Sequence, residues 1–401
     1  MSHALHPAPH SEAFSGKVAG PLRSVGLGCL VVAALIAIVS GNATEFWSAW
    51  LHNWLFSITV GLGALLFVAI QHLTKAGWSV VVRRVAECLS VTIGPIAWLA
   101  VPILVALLAD SHSLFMWNDA AHVMEDPILS GKAAWLNAPF FVIRTVIYLG
   151  IWWWFALQFY EGSVRGDRKD AEGQLSRLRA RSGPRLIVLG VTITLASFDW
   201  IMSLDPHWFS SILGIYLFAS AMVAGLAALT LVVLGLRKIG LLPQVTVEHL
   251  HDLGKLLYGF NCFWAYIAFS QYLLIWYANI PEETGWFYHR QIHGWAEVSL
   301  VLVALHFVLP FFGLMSRGAK RHAPTLAFWS VIILVANWID LYWLIMPSVA
   351  GRSVAPGLVD LLLACGFIVL TASAFVSAAA GRSLIPRNDP LLSESLKFHN
   401  H

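Results

Sequence analysis

Apolar residues along this chain collect into ten runs: Leu22–Ser40, Trp50–Leu73, Ala86–Leu108, Pro139–Tyr160, Leu186–Leu204, Phe209–Leu236, Leu253–Ile275, His293–Met315, Thr325–Met346 and Pro356–Ala379. Each is close to the roughly 20 residues that a helix needs to cross the hydrocarbon core of a bilayer. The pattern predicts an all-α integral membrane protein with ten transmembrane helices over residues 21–380. Residues 1–20 read as a polar, His- and Pro-rich N-terminal tail. They lack the short apolar stretch and small-residue cut site of a cleavable signal, so the first run is expected to stay as an anchor. Residues 381–401 read as a polar C-terminal tail extending from the membrane surface.

Charge tests the count of runs. Of the 25 Lys and Arg residues, 21 fall in the segments that share a side with the N-terminus, and only Lys132, Arg290 and Arg352 fall opposite, with Arg144 inside a run. The basic side is the cytoplasmic one, so both termini are expected in the cytoplasm. A missed or extra helix would scramble this alternation. The loop from Glu161 to Arg185 is charged and expected to be helical in part. The loops Asp110–Ala138 and Asn279–Ile292 lie on the opposite face and are rich in Trp, His and acids, which suits docking to a partner there.

Composition agrees with a membrane setting. Charged residues make up 12% of the chain, against roughly 25% in soluble domains, and 58% of residues are hydrophobic. The 19 tryptophans suit aromatic belts at the two interfaces. A net charge of +3 gives no reason to expect a nucleic-acid partner. The four cysteines, Cys29, Cys88, Cys262 and Cys365, sit in four different runs without a CxxC. That spacing argues against an iron–sulfur cluster, a zinc site or covalent haem in this chain.

The stretch SFDWIMSLDPHWF places Asp199 inside one run and Asp205 and His207 in the hinge to the next. A carboxylate in a membrane segment must be paired, protonated or hydrated. Topology converts position to depth, at about 1.5 Å per helical residue. Arg144, with Tyr148 one turn deeper, then shares the outer third with Asp199, Asn337, Asp340, Asp360, Ser270, Gln271, Tyr272, His293 and Glu297. Buried opposite charges pair, so Arg144 is expected to pair with Asp199 or Asp340, leaving the spare carboxylates to carry protons. A structural network that only orients helices explains the same residues.

On the inner side, Gln71, His72, Arg84 and Glu87 read as interfacial residues at helix ends. His306 lies near mid-membrane and reads as a packing histidine. His289 and His293 have i, i+4 spacing but lack a third metal ligand, and no pair of facing histidines suits haem.

Long strings carry a resemblance. SFDWIMSLDPHWFSSILGIY, HDLGKLLYGFNCFWAYIAFSQYLLIWYANIPEETGWFYHR, ANWIDLYWLIMP, QHLTKAGWSVVVRR and GKAAWLNAPFFVIRT resemble the ActF-type membrane subunit of bacterial alternative complex III, within the NrfD/polysulfide-reductase-type family. The resemblance implies two four-helix bundles flanked by the first and last helix, and no redox metal in this subunit. It implies a bacterial inner-membrane complex that oxidises menaquinol or ubiquinol on an NrfD-like sister subunit. Electrons would pass to an iron–sulfur protein and c-type cytochrome subunits carrying the haems, then to a cytochrome c or a terminal oxidase. Lipid would surround the remaining surface.

Within that frame His122, Asp199, Asp205 and His207 could accept protons near the outer surface. Glu87, His72, Thr92, Asn261, Tyr258 and His306 could continue a path inward. Two other classes fit the pattern: a purely structural subunit, and a proton-coupled secondary transporter. Transporter sites favour the midplane and interrupted helices, whereas these polar residues sit in the outer third.

Overall fold

The computed structural model describes residues 17–109, 114–167, 171–349 and 354–399. Residues 1–16 of the N-terminal tail, Arg168, Lys169 and Arg352 lie outside the described residues. The described regular structure is helical throughout. Its long elements are α1 (Ala19–Ser40), α2 (Ala43–Leu73), α3 (Gly77–Leu108), α4 (Ala138–Gly166), α5 (Ala171–Trp200), α6 (Leu213–Lys238), α7 (Val247–Ala278), α8 (Trp295–Met315), α9 (Ala323–Ile345) and α10 (Leu358–Ala379). Among the described residues, nine of these are long and apolar enough to cross a membrane, and α7 is the one outside that set. At 32 residues α7 is long enough. Its Asn261, Ser270, Gln271 and many Trp and Tyr residues lower its hydropathy.

Local chemistry fixes where the helices start and stop. Gly41, in the left-handed region at φ +68°, ends α1, and the next residue, Asn42, accepts from the Glu45 N–H at 3.1 Å to begin α2. Asn137 caps α4 in the same way, with Pro139 in its first turn. Asp119 and Asp126 cap the short helices Ala120–Glu125 and Pro127–Lys132 in the connection before α4. The expected partly helical segment before Arg185 is the continuation of α4 and α5 themselves.

Below, "outer" denotes the end that carries connections 114–137 and 279–294, and "inner" the opposite end. Helices α2, α3, α4 and α5 close one ring of neighbours, and α6, α7, α8 and α9 close another. Helix α1 packs on α10, and α10 packs on α2 and α3. The rings join through α2 and α6, where glycines permit backbone contact. A Cβ on Gly63 would stand 1.8 Å from the Ala221 carbonyl oxygen, and one on Gly225 would stand 2.5 Å from the carbonyl carbon of Gly63. Small residues at such crossings let membrane helices approach closely. An apolar cleft of about 570 Å³ opens between α2, α6, α9 and α10, walled by residues such as Val60, Leu231, Leu334 and Ile368.

The C-terminal segment does not extend from the surface as expected. It straps across the inner ends of both rings. Ser395 Oγ donates to Trp78 O at 2.7 Å, and the Ser395 carbonyl lies 3.0 Å from His249 Nε2. Asp389 pairs with Arg83, Arg84 Nη1 donates to Ser383 O at 3.1 Å, and the Arg387 N–H donates to Asp167 at 2.8 Å. Buried arginines and helix termini need acceptors, and this segment supplies them.

Candidate functional site

In the first ring, α4 and α5 place Arg144 and Asp199 face to face. Arg144 Nε and Nη2 donate to the two carboxylate oxygens at 2.8 Å each. Trp135 Nε1 adds a bond to Oδ1 and Tyr148 OH one to Oδ2, both at 3.0 Å. Four donors fill the roughly four lone-pair positions of a carboxylate. Arg144 Nη1 donates to Trp135 O at 2.9 Å, and its guanidinium packs 4.1 Å from the Trp135 ring centre and 4.2 Å from that of Phe140. Asp199 is 0% exposed and Arg144 5%. Of the two expected partners for Arg144, Asp199 is the one it meets. Just inward stand the buried indoles of Trp54, Trp152 and Trp200, whose N–H groups are bonded to Ile96 O, Thr192 and Thr145. The pair therefore faces an aromatic wall rather than a polar route.

Asp340 belongs to the second ring and is held differently. Tyr216 OH donates to one of its oxygens at 2.5 Å and Trp264 Nε1 to the other at 3.1 Å. Among the described residues, no ion pair includes Asp340, although it is 0% exposed. One turn inward, Asn337 Nδ2 donates to Ser220 Oγ at 2.7 Å, while Asn337 Oδ1 is unpartnered. Beyond it the His306 ring packs at a tilt against Trp264, 3.6 Å between centres. His306 sits in a π-helical turn, Val303–Val308, within α8. Such turns widen a helix locally and are frequent at functional positions. Neither His306 nitrogen has a hydrogen-bond partner, nor does either polar atom of the Asn261 side chain. All of these groups are buried.

A third cluster lies at the inner end of the first ring. Glu87 is 0% exposed, with Arg84 Nε at 3.1 Å, Arg83 Nε at 3.6 Å and His72 Nε2 at 4.0 Å. Arg84 also reaches Ser163 at 3.1 Å and Asp167 at 3.0 Å. His72 stacks on Phe159, which also carries the Arg185 guanidinium 4.6 Å from its ring centre. These residues are not the interfacial helix caps that the sequence suggested. They form a buried ionic core, because the C-terminal strap and the inner halves of α4 and α5 cover them. A small cavity of about 20 Å³, lined by His72, Arg83, Asp167 and Asp389 among others, adjoins them. That is room for about one water molecule.

The remaining candidates do not join the outer cluster. His207 binds Asp126 at 2.5 Å at the surface. That hydrogen bond holds the Asp126 carboxyl below its usual range. His122 and Glu297 are exposed, as are His289 and His293. Asp360 turns back to accept from the Gly357 N–H at 2.8 Å, so it caps its own helix. Asp205 lies in the turn after Leu204, apart from Arg144, and its charge acts on Arg290. Gln271 donates to Ser210 at 3.1 Å. The sequence placed Asp360, Gln271, His293 and Glu297 at the depth of Arg144, but depth alone does not bring side chains to one face or one ring.

Several functional partners escaped the sequence reading. Tyr216, Trp264, Ser220 and Trp135 look like ordinary membrane-interface or packing residues until a carboxylate or amide is found opposite them. Arg290 looked like a loop cation. It is buried, donating to Trp343 O, Trp286 O and Leu344 O at 3.1, 2.8 and 2.8 Å, with its guanidinium 3.3 Å from the Trp286 ring centre. Burial pushes its ionisation down, with Asp205 acting in the other direction. The chain matches no family model and no curated protein.

Proposed function

We propose that this chain is the ActF-like membrane subunit of a quinol-oxidising respiratory complex in a bacterial inner membrane. It crosses the membrane ten times, α7 included, with both termini in the cytoplasm. Quinol is oxidised on the sister subunit, and electrons leave through the iron–sulfur and cytochrome subunits. Support comes from the resemblance of the long strings, from the nine apolar helices and from the one-sided distribution of Lys and Arg. Within that complex, the second ring of this chain carries protons.

One observation carries the proton reading: Asp340 is a buried carboxylate with two neutral donors and, among the described residues, no cation beside it. An acid so placed is free to exchange a proton, whereas Asp199, with its guanidinium and two further donors, is committed. Inward of Asp340, the unpartnered atoms of Asn337, His306 and Asn261 are the kind of buried groups that ordered water satisfies. They form a graded series from the outer third toward the inner half. Asp199, saturated by its four donors, offers no acceptor to a quinol hydroxyl.

The test compares two substitutions in the whole complex. Asp340→Asn keeps the Tyr216 and Trp264 contacts within reach and should assemble normally. Proton-coupled quinol oxidation should fall by about 100-fold, the low end of what a positioned proton carrier contributes. Asp199→Asn should instead lower assembly, because it leaves Arg144 buried without its counter-charge. Full coupled turnover in Asp340→Asn would assign the second ring to scaffold alone. The Arg144–Asp199 pair favours a scaffolding role for the first ring in either case.

A further inference from the structure

Helix α7 presents an exposed stripe with a seven-residue period: Gly259, Cys262, Tyr266, Phe269, Leu273, Trp276 and, just past the helix end, Ile280. Tyr266 is 65% exposed, Phe269 60%, Leu273 40% and Trp276 62%, and Cys262 is half-buried. A Cβ added to Gly259 would meet nothing within 4 Å, so the backbone there is open to a close neighbour. The spacing 3, 4, 3, 4 is that of a helix seam packed against another helix.

Depth gives the second observation. Tyr266 lies twelve residues before the outer end of α7 at Ala278, about 18 Å along the helix. That is mid-bilayer if α7 crosses the membrane, too deep for the hydroxyl to reach either surface. No hydrogen bond of this hydroxyl occurs among the described residues. In hydrocarbon an unmade hydrogen bond of this kind is costly. The exposed faces of the neighbouring elements differ. The exposed residues Leu300, Val303 and Phe312 of α8 and Phe328, Val331 and Val335 of α9 carry no polar side-chain atom. An exposed phenol at this depth marks a face built for protein rather than lipid.

We propose that the Gly259–Cys262–Tyr266–Phe269 face of α7 is the docking surface for one membrane-spanning helix of another polypeptide, which carries a hydrogen-bonding side chain opposite Tyr266. This inference rests on the reading of α7 as a membrane helix. The partner helix packs closely at Gly259 and Cys262 on the inner half and against the aromatic residues on the outer half. Its polar group would be a Ser, Thr, Asn, Gln or His, the residues that bond across helices in membranes.

The experiment places the photocrosslinker p-benzoylphenylalanine at position 266 or, as control, at Val331, in the full chain within its native membranes. The expected result at 266 is an adduct whose peptide maps to one membrane-spanning segment of a different polypeptide. At 331 the adducts should be lipid. A second variant, Gly259→Leu combined with the crosslinker at 266, should lose the protein adduct while the isolated chain keeps its elution volume and thermal midpoint. Lipid adducts at both positions would overturn the proposal, as would an adduct to a second copy of this chain, or retention of the adduct in Gly259→Leu. Absence of lipid adducts at 331 would overturn the membrane reading itself, which separates the two failures.

Discussion

Two aspartates that look alike in the sequence have opposite surroundings. Asp199 has a guanidinium and two further donors, and Asp340 has a phenol and an indole. Removing Arg144 leaves Asp199 charged and buried, which typically costs about 3–5 kcal/mol. Arg144→Ala should therefore give little folded protein, read by fluorescence-detected size exclusion. The double variant Arg144→Met, Asp199→Leu removes both charges at once and should recover much of the loss, since apolar replacements of a buried pair are often neutral. Recovery to no more than the single-variant level would mean that the hydrogen bonds from Trp135 and Tyr148 matter more than the charges. Each buried acid is legible in the sequence, because a charge in an apolar run is conspicuous. The partners are not, because Trp and Tyr are so common in membrane segments that none stands out.

At the scale of elements, the helices were readable from hydropathy alone, and their edges moved mainly outward. Helix α2 begins at Ala43 rather than Trp50, α4 continues to Gly166, and α5 already begins at Ala171. Polar ends extend past an apolar run because backbone hydrogen bonding continues until a cap or a glycine stops it. The π turn around His306 and the glycine crossing of α2 and α6 were not readable, since neither leaves a compositional mark. The crossing gives a sharp prediction. Gly63→Ala puts a methyl group onto the Ala221 carbonyl, and overpacking of this kind costs about 1–3 kcal/mol. Gly28→Ala, with nothing within 4 Å of the new carbon, should be silent. Thermal unfolding in detergent measures both, and equal midpoints would mean that the rings can separate without penalty.

For the whole molecule, the C-terminal strap and the outer loops hold the two ends. Asp389→Ala removes the strap's partner for buried Arg83 and should lower the thermal midpoint by a few degrees. It should also expose the inner ends of α2 and α4 to protease. On the outer face, the Asp126–His207 link ties the short helix Pro127–Lys132 to the turn before α6. The depressed Asp126 carboxyl makes this link favourable above the ordinary carboxylate range, and it is lost as pH falls through the lowered value. Protease cleavage in the 114–137 connection should accordingly rise only in strong acid, and Asp126→Asn should flatten that response.

The notch between Gly63 and Ala221 also bears on how such a molecule can work. A permease that alternates access by rocking one half against the other needs a sliding seam between them. Here a carbonyl of one half nests where a side chain of the other would stand. Rolling one half past the other would break this contact, so a cycle that keeps it intact runs through small rearrangements inside a half.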